Sequence, residues 1–336
     1  LAHGVTPDGE IELEIPEYNP APAFAAALDT ELYDAILEMA SLEKAQEFFA
    51  VKGISPEAVA AAKVRFVDDP VSLTNKLLAT FGVDRIVAAG LTDQEGKRML
   101  LSKDYPVIEP QLNVTGNCTN LQFRASVQQR EKVRAHDNKE PGSKYVPKFL
   151  SLRGATAAHR SGYGAHLLAG YPSGKAVWIG EGGQDFMAGL TMGLSMFCLP
   201  GTSTRPTDDI VKLLGRHKLV IAFDADKGGD EGRQGLVAFL AQFGICSVTE
   251  ALAALIASPD ISSGLKSLAK SPAQIKNWPG YLAAVAKQDE NAAKVLRAAK
   301  WREDKGLTIE HRRPPEGMDL TDVLQDRLAK KARASS

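Results

Sequence analysis

The chain has 336 residues, 44% of them hydrophobic and 24% charged, with a formal net charge of −1. That balance is typical of a globular chain long enough for two or three domains, and it excludes a disordered or fibrous protein. No run of about eighteen apolar residues occurs, so no membrane span is expected.

The chain begins Leu-Ala-His-Gly-Val, without an initiator Met or signal-peptide architecture, and reads as a processed or truncated end, which leaves room for upstream domains. Residues 1–43 carry ten Asp or Glu and no Lys or Arg. With Pro7, Pro16, Pro20 and Pro22, the first thirty or so read as an extended acidic leader, 1–30. Leu32, Ile36, Met39 and Leu42 recur at helical intervals and predict a helix over 23–50. Lys52-Gly53 stops it, and Ser55 followed by Pro56 has the pattern of a new helix start. Another helix is predicted over 70–89, closed by Gly90-Leu91-Thr92.

Short strands follow at 97–101, 106–108, 112–114 and 121–124, separated by polar or glycine-containing turns. Residues 131–143 are too polar and interrupted for a core element and predict a mobile basic loop. Residues 123–160 hold nine Lys or Arg against three acids, which suits either a polyanionic partner or a solvated basic face. Within them, Lys144 and Lys148 alternate with Tyr145 and Phe149. That mixture fits phosphate contact beside base or ribose stacking, and equally aromatic rings packed under lysine stems.

From 176 the pattern is α/β: strand 176–180, helix 184–193, strand 195–199, helix 207–215, strand 218–223, helix 230–243. Thr202, Ser203 and Thr204, after the second of these strands, suit a phosphate or a simple loop. Residues 247–300 are Ala/Leu/Lys-rich helices broken at Pro259, Pro272 and Pro279, an insertion ahead of a last strand, 307–312. A final helix opens after Asp319 and Asp322, and the tail 329–336 is basic. Cys118, Cys198 and Cys246 lack zinc-site spacing and read as core residues in a reducing cytoplasm, with no zinc expected within this chain.

Two strand ends carry the chemistry. Val177-Trp178-Ile179 runs into Gly180-Glu181-Gly182-Gly183-Gln184-Asp185, and Leu219 to Phe223 runs into Asp224-Ala225-Asp226-Lys227-Gly228-Gly229. In an open α/β sheet the carboxyl ends of strands face the ligand crevice, so Glu181, Asp185, Asp224 and Asp226 are expected to crowd one place. Crowded carboxylates repel unless a cation neutralises them, and Mg2+ (or Mn2+) fits all-oxygen ligands. Asp-x-Asp after a strand also serves as a helix cap, and Asp319 and Asp322 are either a third acidic cluster or helix-start acids favoured by the dipole.

These segments, taken in order, resemble the catalytic core of bacterial DnaG-type DNA primases and their phage relatives. Glu181-Gly182…Asp185, Asp224-Ala225-Asp226 and Asp319 are similar to the acidic motifs of the Toprim domain. Residues 45–62 resemble the helical lead-in of that core; residues 88–110 with Leu121-Gln122-Phe123-Arg124, Pro147-Lys148-Phe149-Leu150-Ser151 and Leu199 to Thr204 are similar to further family segments. The resemblance implies an α/β fold (α+β overall). Its parts are a basic mixed α+β lobe (31–172), a Toprim-type Rossmann-like parallel sheet (173–246 and 301–328), the helical insertion (247–300) and a C-terminal helical part.

It further implies Mg-dependent, template-directed synthesis of short RNA primers on single-stranded DNA in the cytoplasm of a bacterial cell or phage-infected host, with a replicative helicase as partner. Glu181, Asp185, Asp224 and Asp226 become catalytic, and Glu181, Asp224, Asp226, Asp319 and Asp322 metal ligands. Arg124, Lys144, Lys148 and the turn 202–204 meet ribonucleoside triphosphate or template. Departures are the Glu-Gly-Gly-Gln-Asp turn, the Lys-Gly-Gly after Asp-x-Asp, the acid three rather than two residues beyond Asp319, the long helical segment and the missing zinc module. They suggest a phage or mobile-element relative. A Toprim nuclease and a non-catalytic single-strand or helicase-binding module are the competing readings.

Overall fold

Two four-stranded sheets of opposite kind organise the computed structural model, which describes residues 3–5, 11–13, 25–92, 99–139, 142, 146–257, 263–268, 271–316 and 318–334. Ahead of them, β1 (His3–Val5) and β2 (Ile11–Leu13) pair antiparallel within the acidic leader. The helix expected over 23–50 is instead two, α1 (Thr30–Met39) and α2 (Leu42–Ala50). The break falls at Ser41, whose N–H donates to the Phe66 carbonyl at 2.9 Å and whose carbonyl accepts from the Phe66 N–H at 2.8 Å. Its Oγ meanwhile accepts from the Lys44 N–H to cap α2. An apolar repeat reports buried faces and runs straight through such a break.

Helix α3 (Pro56–Ala61) begins where expected, with Ser55 Oγ accepting from the Ala58 N–H at 3.2 Å and Pro56 in the first turn. After β3 (Arg65–Phe66), the single helix expected over 70–89 is α4 (Pro70–Phe81) and α5 (Val83–Ala88), divided at Gly82, where φ is +77°. Then come β4 (Val107–Leu112), β5 (Cys118–Arg124), α6 (Val127–Asp137) and β6 (Phe149–Ser151), and the antiparallel sheet runs β3-β4-β5-β6.

Three expectations need correcting in this lobe. Val107, Ile108 and Leu112, expected in two separate strands, belong to one strand, β4, that runs through Pro110. Because β3 pairs only with Val107 and Ile108, β4 has β5 alone beside it at Pro110, where a missing N–H is tolerated. The strand expected at 97–101 is not formed over its described part, 99–101, where Met99 makes an isolated bridge to Thr92; residues 97 and 98 lie outside the described residues. Residues 131–137, expected in a loop, belong to α6, started by Ser126 Oγ accepting from the Gln129 N–H at 3.1 Å. Helix α6 buries only Val133, so it lacks the apolar stripe by which a helix is read. Leu32, Ile36, Leu77, Ile108 and Phe123 form the core beneath this sheet.

The second sheet is parallel throughout, in the order β10-β9-β7-β8. Its elements in chain order are β7 (Ala176–Glu181), α7 (Gly182–Thr191), β8 (Met196–Leu199), α8 (Asp208–Leu214), β9 (Lys218–Ile221), α9 (Lys227–Ala241), the helical segment, β10 (Ile309–His311) and α14 (Leu320–Ala334). Val177, Ile179, Leu219 and Ile221 pack with α8 and α9 on one face. Trp178 and Ala222 pack with Phe186, Met187, Leu320 and Leu324, from α7 and α14, on the other. The chain thus leaves β7 and β9 for opposite faces, which opens a crevice outside their carboxyl ends.

The segment before β10 consists of α10 (Val248–Ala257), α11 (Ser263–Leu268), α12 (Trp278–Gln288) and α13 (Glu290–Asp304), around a separate core of Val248, Leu252, Val285 and Leu296. Pro272 and Pro279 sit in first turns, so they start helical pieces rather than break them; Pro259 lies outside the described residues. Helix α13 runs through the boundary expected at residue 300. Among the described residues no helix is long and apolar enough to cross a membrane. Cys118, Cys198 and Cys246 are buried and free.

Arg302, 2% exposed on α13, donates to the carbonyls of Gly215 (2.6 Å), Leu307 (3.0 Å) and His217 (3.2 Å). Charge-assisted bonds to buried carbonyls leave those oxygens unmatched when the guanidinium is removed. Arg302→Met is expected to cost about 3 kcal/mol of unfolding free energy, read by chemical denaturation; an unchanged midpoint contradicts the anchoring role.

Candidate active site

Glu181 ends β7 and stands at the start of α7, yet its side chain makes no capping bond, and Gly182 turns the chain at φ +76°. Glu181 Oε1 is buried without a hydrogen-bond partner among the described residues, as is Asp224 Oδ1 just past β9. Burial first, then the charges of Asp224 and Asp226, push the Glu181 carboxyl up to about 7. Asp185, 5% exposed in the first turn of α7, is raised well above the carboxylate range by burial and by Asp319, Asp224 and Glu181. Burial, Asp319 and Asp226 raise Asp224 as well. Each of the three is raised by other carboxylates of the group, so residues about 140 positions apart in sequence share one electrostatic field.

Asp226 and the pair Asp319/Asp322 also have local structural work. Asp226 Oδ1 accepts from the Gly229 N–H at 2.7 Å and caps α9. Asp322's N–H donates to Asp319 Oδ1 at 2.8 Å, and Asp319's N–H to Asp322 Oδ2 at 3.1 Å, a reciprocal start to α14. The cap and the acidic cluster are therefore not exclusive, since each carboxylate has a second oxygen. Asp226 and Asp322 are exposed and lie outside the cavity wall, reaching Glu181 and Asp224 through their charge.

A cavity of about 240 Å³ lies between the two lobes. Glu181, Asp185, Asp224 and Asp319 line its acidic side; Arg124, Lys148, Phe149, Gln122 and Tyr163 line the other. Arg124 is not free to swing. Its Nε donates to Glu109, itself fully buried, and its guanidinium lies 4.5 Å from the Phe149 ring centre. Lys148 is exposed and close enough to lower both Asp185 and Asp224. Lys144 lies outside the described residues. In the turn after β8, Gly201 reaches the cavity. Thr202 packs against Gly232, Ser203 faces solvent, and the carbonyls of Thr202 and Thr204 accept from Arg205 at 2.8 and 3.0 Å.

Sequence reasoning passed over Lys52, Glu109, Gln122, Arg130 and Tyr163. Glu109 had a signal: an acid inside the otherwise uncharged run Val-Ile-Glu-Pro-Gln-Leu needs a buried partner, and Arg124 on the next strand is the nearest cation in pattern. Tyr163 had none. It is positioned by an antiparallel bridge to Cys198 that only the folded chain reveals, with its hydroxyl on Gln122. Lys52 and Arg130 add positive charge beside Arg124 and Lys148.

Among the described residues, no three His, Cys, Asp or Glu side chains form a ready-made metal cage. What is present is an all-oxygen donor set with two buried, unmatched carboxylate oxygens and raised carboxyl groups. That fits an ion completing its shell with waters and phosphate oxygens, as Mg2+ does.

A scan against protein-family models and a sequence search of curated proteins found no match. Among solved structures, the chain is similar to a DnaG catalytic core at 16% identity and a TM-score of 0.53, covering 91% of this chain and 79% of that one. It is also similar to a DnaG primase catalytic domain bound to single-stranded DNA, at 15% identity and a TM-score of 0.51, covering 90% and 79%. A mixed α/β chain with an antiparallel basic lobe, a parallel sheet and the acidic crevice between them has the fold of DnaG primase catalytic cores.

Proposed function

We propose that this chain is a DNA primase core that joins ribonucleotides into short primers on a single-stranded DNA template, with Mg2+ or Mn2+ as cofactor. One observation carries the reading. The acidic side chains at the ends of β7 and β9 face basic and aromatic side chains across a single cavity, in the fold of primase cores. The similar primase domain bound to single-stranded DNA supports a DNA template. The helical segment before β10 and the Glu-Gly-Gly-Gln-Asp turn support a phage or mobile-element branch acting in the cytoplasm, with a replicative helicase as partner.

Glu181, Asp224 and Asp319 would hold the ion, helped by Asp185 and by the charges of Asp226 and Asp322. When bound, it neutralises phosphate charge and acidifies the attacking hydroxyl. The protein's own part is positioning and proton handling. Lys148 and Arg124 meet phosphate oxygens, with Arg124 held by Glu109 and Phe149 so that little orientation is lost on binding. At the primer 3′-oxygen Glu181 takes one of two roles, ligand to the ion or acceptor of the hydroxyl proton. Phe149 offers a stacking face, and the basic lobe with Lys144, Lys148 and Arg130 follows template phosphates.

Ribonucleotide incorporation on varied single-stranded templates tests the reading. Asp224→Asn and Asp226→Asn should reduce Mg-dependent incorporation to background while the protein stays folded, because Asn at 226 still caps α9. Retained synthesis rejects the assignment, and template cutting without nucleotides would replace it with a nuclease.

The Glu181 proton makes a further test. Folded Glu181 holds its proton more tightly than the unfolded chain does. Its contribution to stability is therefore full below about pH 4.5 and is lost as pH rises through about 7. Metal-free Glu181→Gln should lose less stability than wild type between pH 5 and 8. Superimposable stability profiles would remove the perturbed carboxyl.

Lys148→Ala should weaken single-strand binding and lower the salt slope of log K by about 0.7. Unchanged slopes take Lys148 off the template track.

A further inference from the structure

Lys52 lies just beyond α2, where burial first, and then the charges of Arg124, Arg130 and Lys148, pull its ammonium down to about 8. Placing a fourth cation there is costly unless something holds it. Its Nζ donates to Gln184 Oε1, in the first turn of α7. With that oxygen engaged, the Gln184 amide nitrogen donates to Thr321 Oγ1 at 2.9 Å. The Thr321 hydroxyl then has its hydrogen free for Asp185 Oδ1, 3.5 Å away. Thr321 and Asp185 are 3% and 5% exposed, so bulk water does not substitute for this contact. The chain of donors crosses three segments: the end of α2, the start of α7 and the start of α14.

We infer that Lys52, Gln184 and Thr321 are positioning residues, a directional hydrogen-bonded strut that runs from the basic lobe to Asp185 and orients it in the acidic crevice. The inference rests on the proposed function for the identity of the ion held there. Every donor points toward the carboxylate, so the strut fixes its rotamer, as partners of ligating carboxylates do. The polarity depends on an amide at 184. A carboxylate there still accepts from Lys52 but has no N–H for Thr321, which then turns its hydroxyl hydrogen to residue 184 and abandons Asp185.

Mn2+ titration of nucleotide-free protein by isothermal calorimetry tests this, with thermal midpoints recorded alongside. Q184E and T321V should each weaken Mn2+ binding about 10-fold, whereas T321S keeps wild-type affinity. K52M and Q184L should each weaken binding, and the K52M/Q184L double variant should be no weaker than the worse single, because both cut one strut. Q184E is nearly isosteric with the native side chain and keeps the test decisive if T321V fails to fold. Wild-type affinity in Q184E, multiplying losses in the double variant, or no Mn2+ binding by wild type overturns the inference. A wild type that binds Mn2+ with these dependences but incorporates no nucleotide leaves the strut in place and overturns primer synthesis instead.

Discussion

Carboxylates gathered at the ends of β7 and β9 oppose their own ionisation, because burial and mutual repulsion both favour the protonated form. The protein supplies only part of the counter-charge. Arg124 faces the same cavity, but Glu109 has already claimed it, so the pair brings little net charge to the acidic side. Lys148 is the cation whose field lowers Asp185 and Asp224, and it is exposed to solvent screening. Among the described residues the acidic side therefore remains short of positive charge, and the divalent ion we propose would supply it.

Keeping such a site open requires the two lobes to be fixed against each other without filling the space between them. A shared core does this: Ala45, Phe49 and Val59 from the first lobe pack with Phe186, Met187 and Leu320 from the second. Gly183 permits a close approach beside the cavity, since a Cβ there would fall 2.5 Å from Glu109 Oε2 and 3.0 Å from Tyr163. Gly229 has a similar duty behind Asp224, where a Cβ would meet the Asp224 carbonyl oxygen at 2.1 Å. Glycines in the two acidic turns thus act as clearance for backbone and side chains that define the cavity, beyond any turn geometry they provide.

The parallel sheet was legible because its strands are short apolar runs ending in glycine and acid, and every predicted element from 176 to 243 is present within a few residues. The basic lobe was less so, for reasons particular to it. Helix α6 is held by a cap and carries no apolar stripe, Pro110 interrupts the pattern of β4 but not its pairing, and Ser41 breaks a helix inside an unbroken repeat. Acidic site residues announced themselves by position at strand ends. Of their supports only Glu109 left a trace, as an acid inside an apolar run; Tyr163 and Lys52 act through contacts with residues distant in sequence. A sequence shows which groups are chemically able; pairing across lobes decides which of them are held still.

The helical segment before β10 is attached at the edge of the parallel sheet away from the crevice. Arg302 grips the carbonyls of Gly215 and His217, just ahead of β9, and of Leu307, just ahead of β10. Those are the amino ends of the strands, whereas Glu181 and Asp224 sit at the carboxyl ends of β7 and β9. A four-residue strand separates the two edges by about 13 Å. The insertion can therefore change length and surface while the acidic turns keep their geometry. Loosening of its anchor reaches the carboxylates only by shifting β9 and β10, the strands that lead into Asp224 and Asp319.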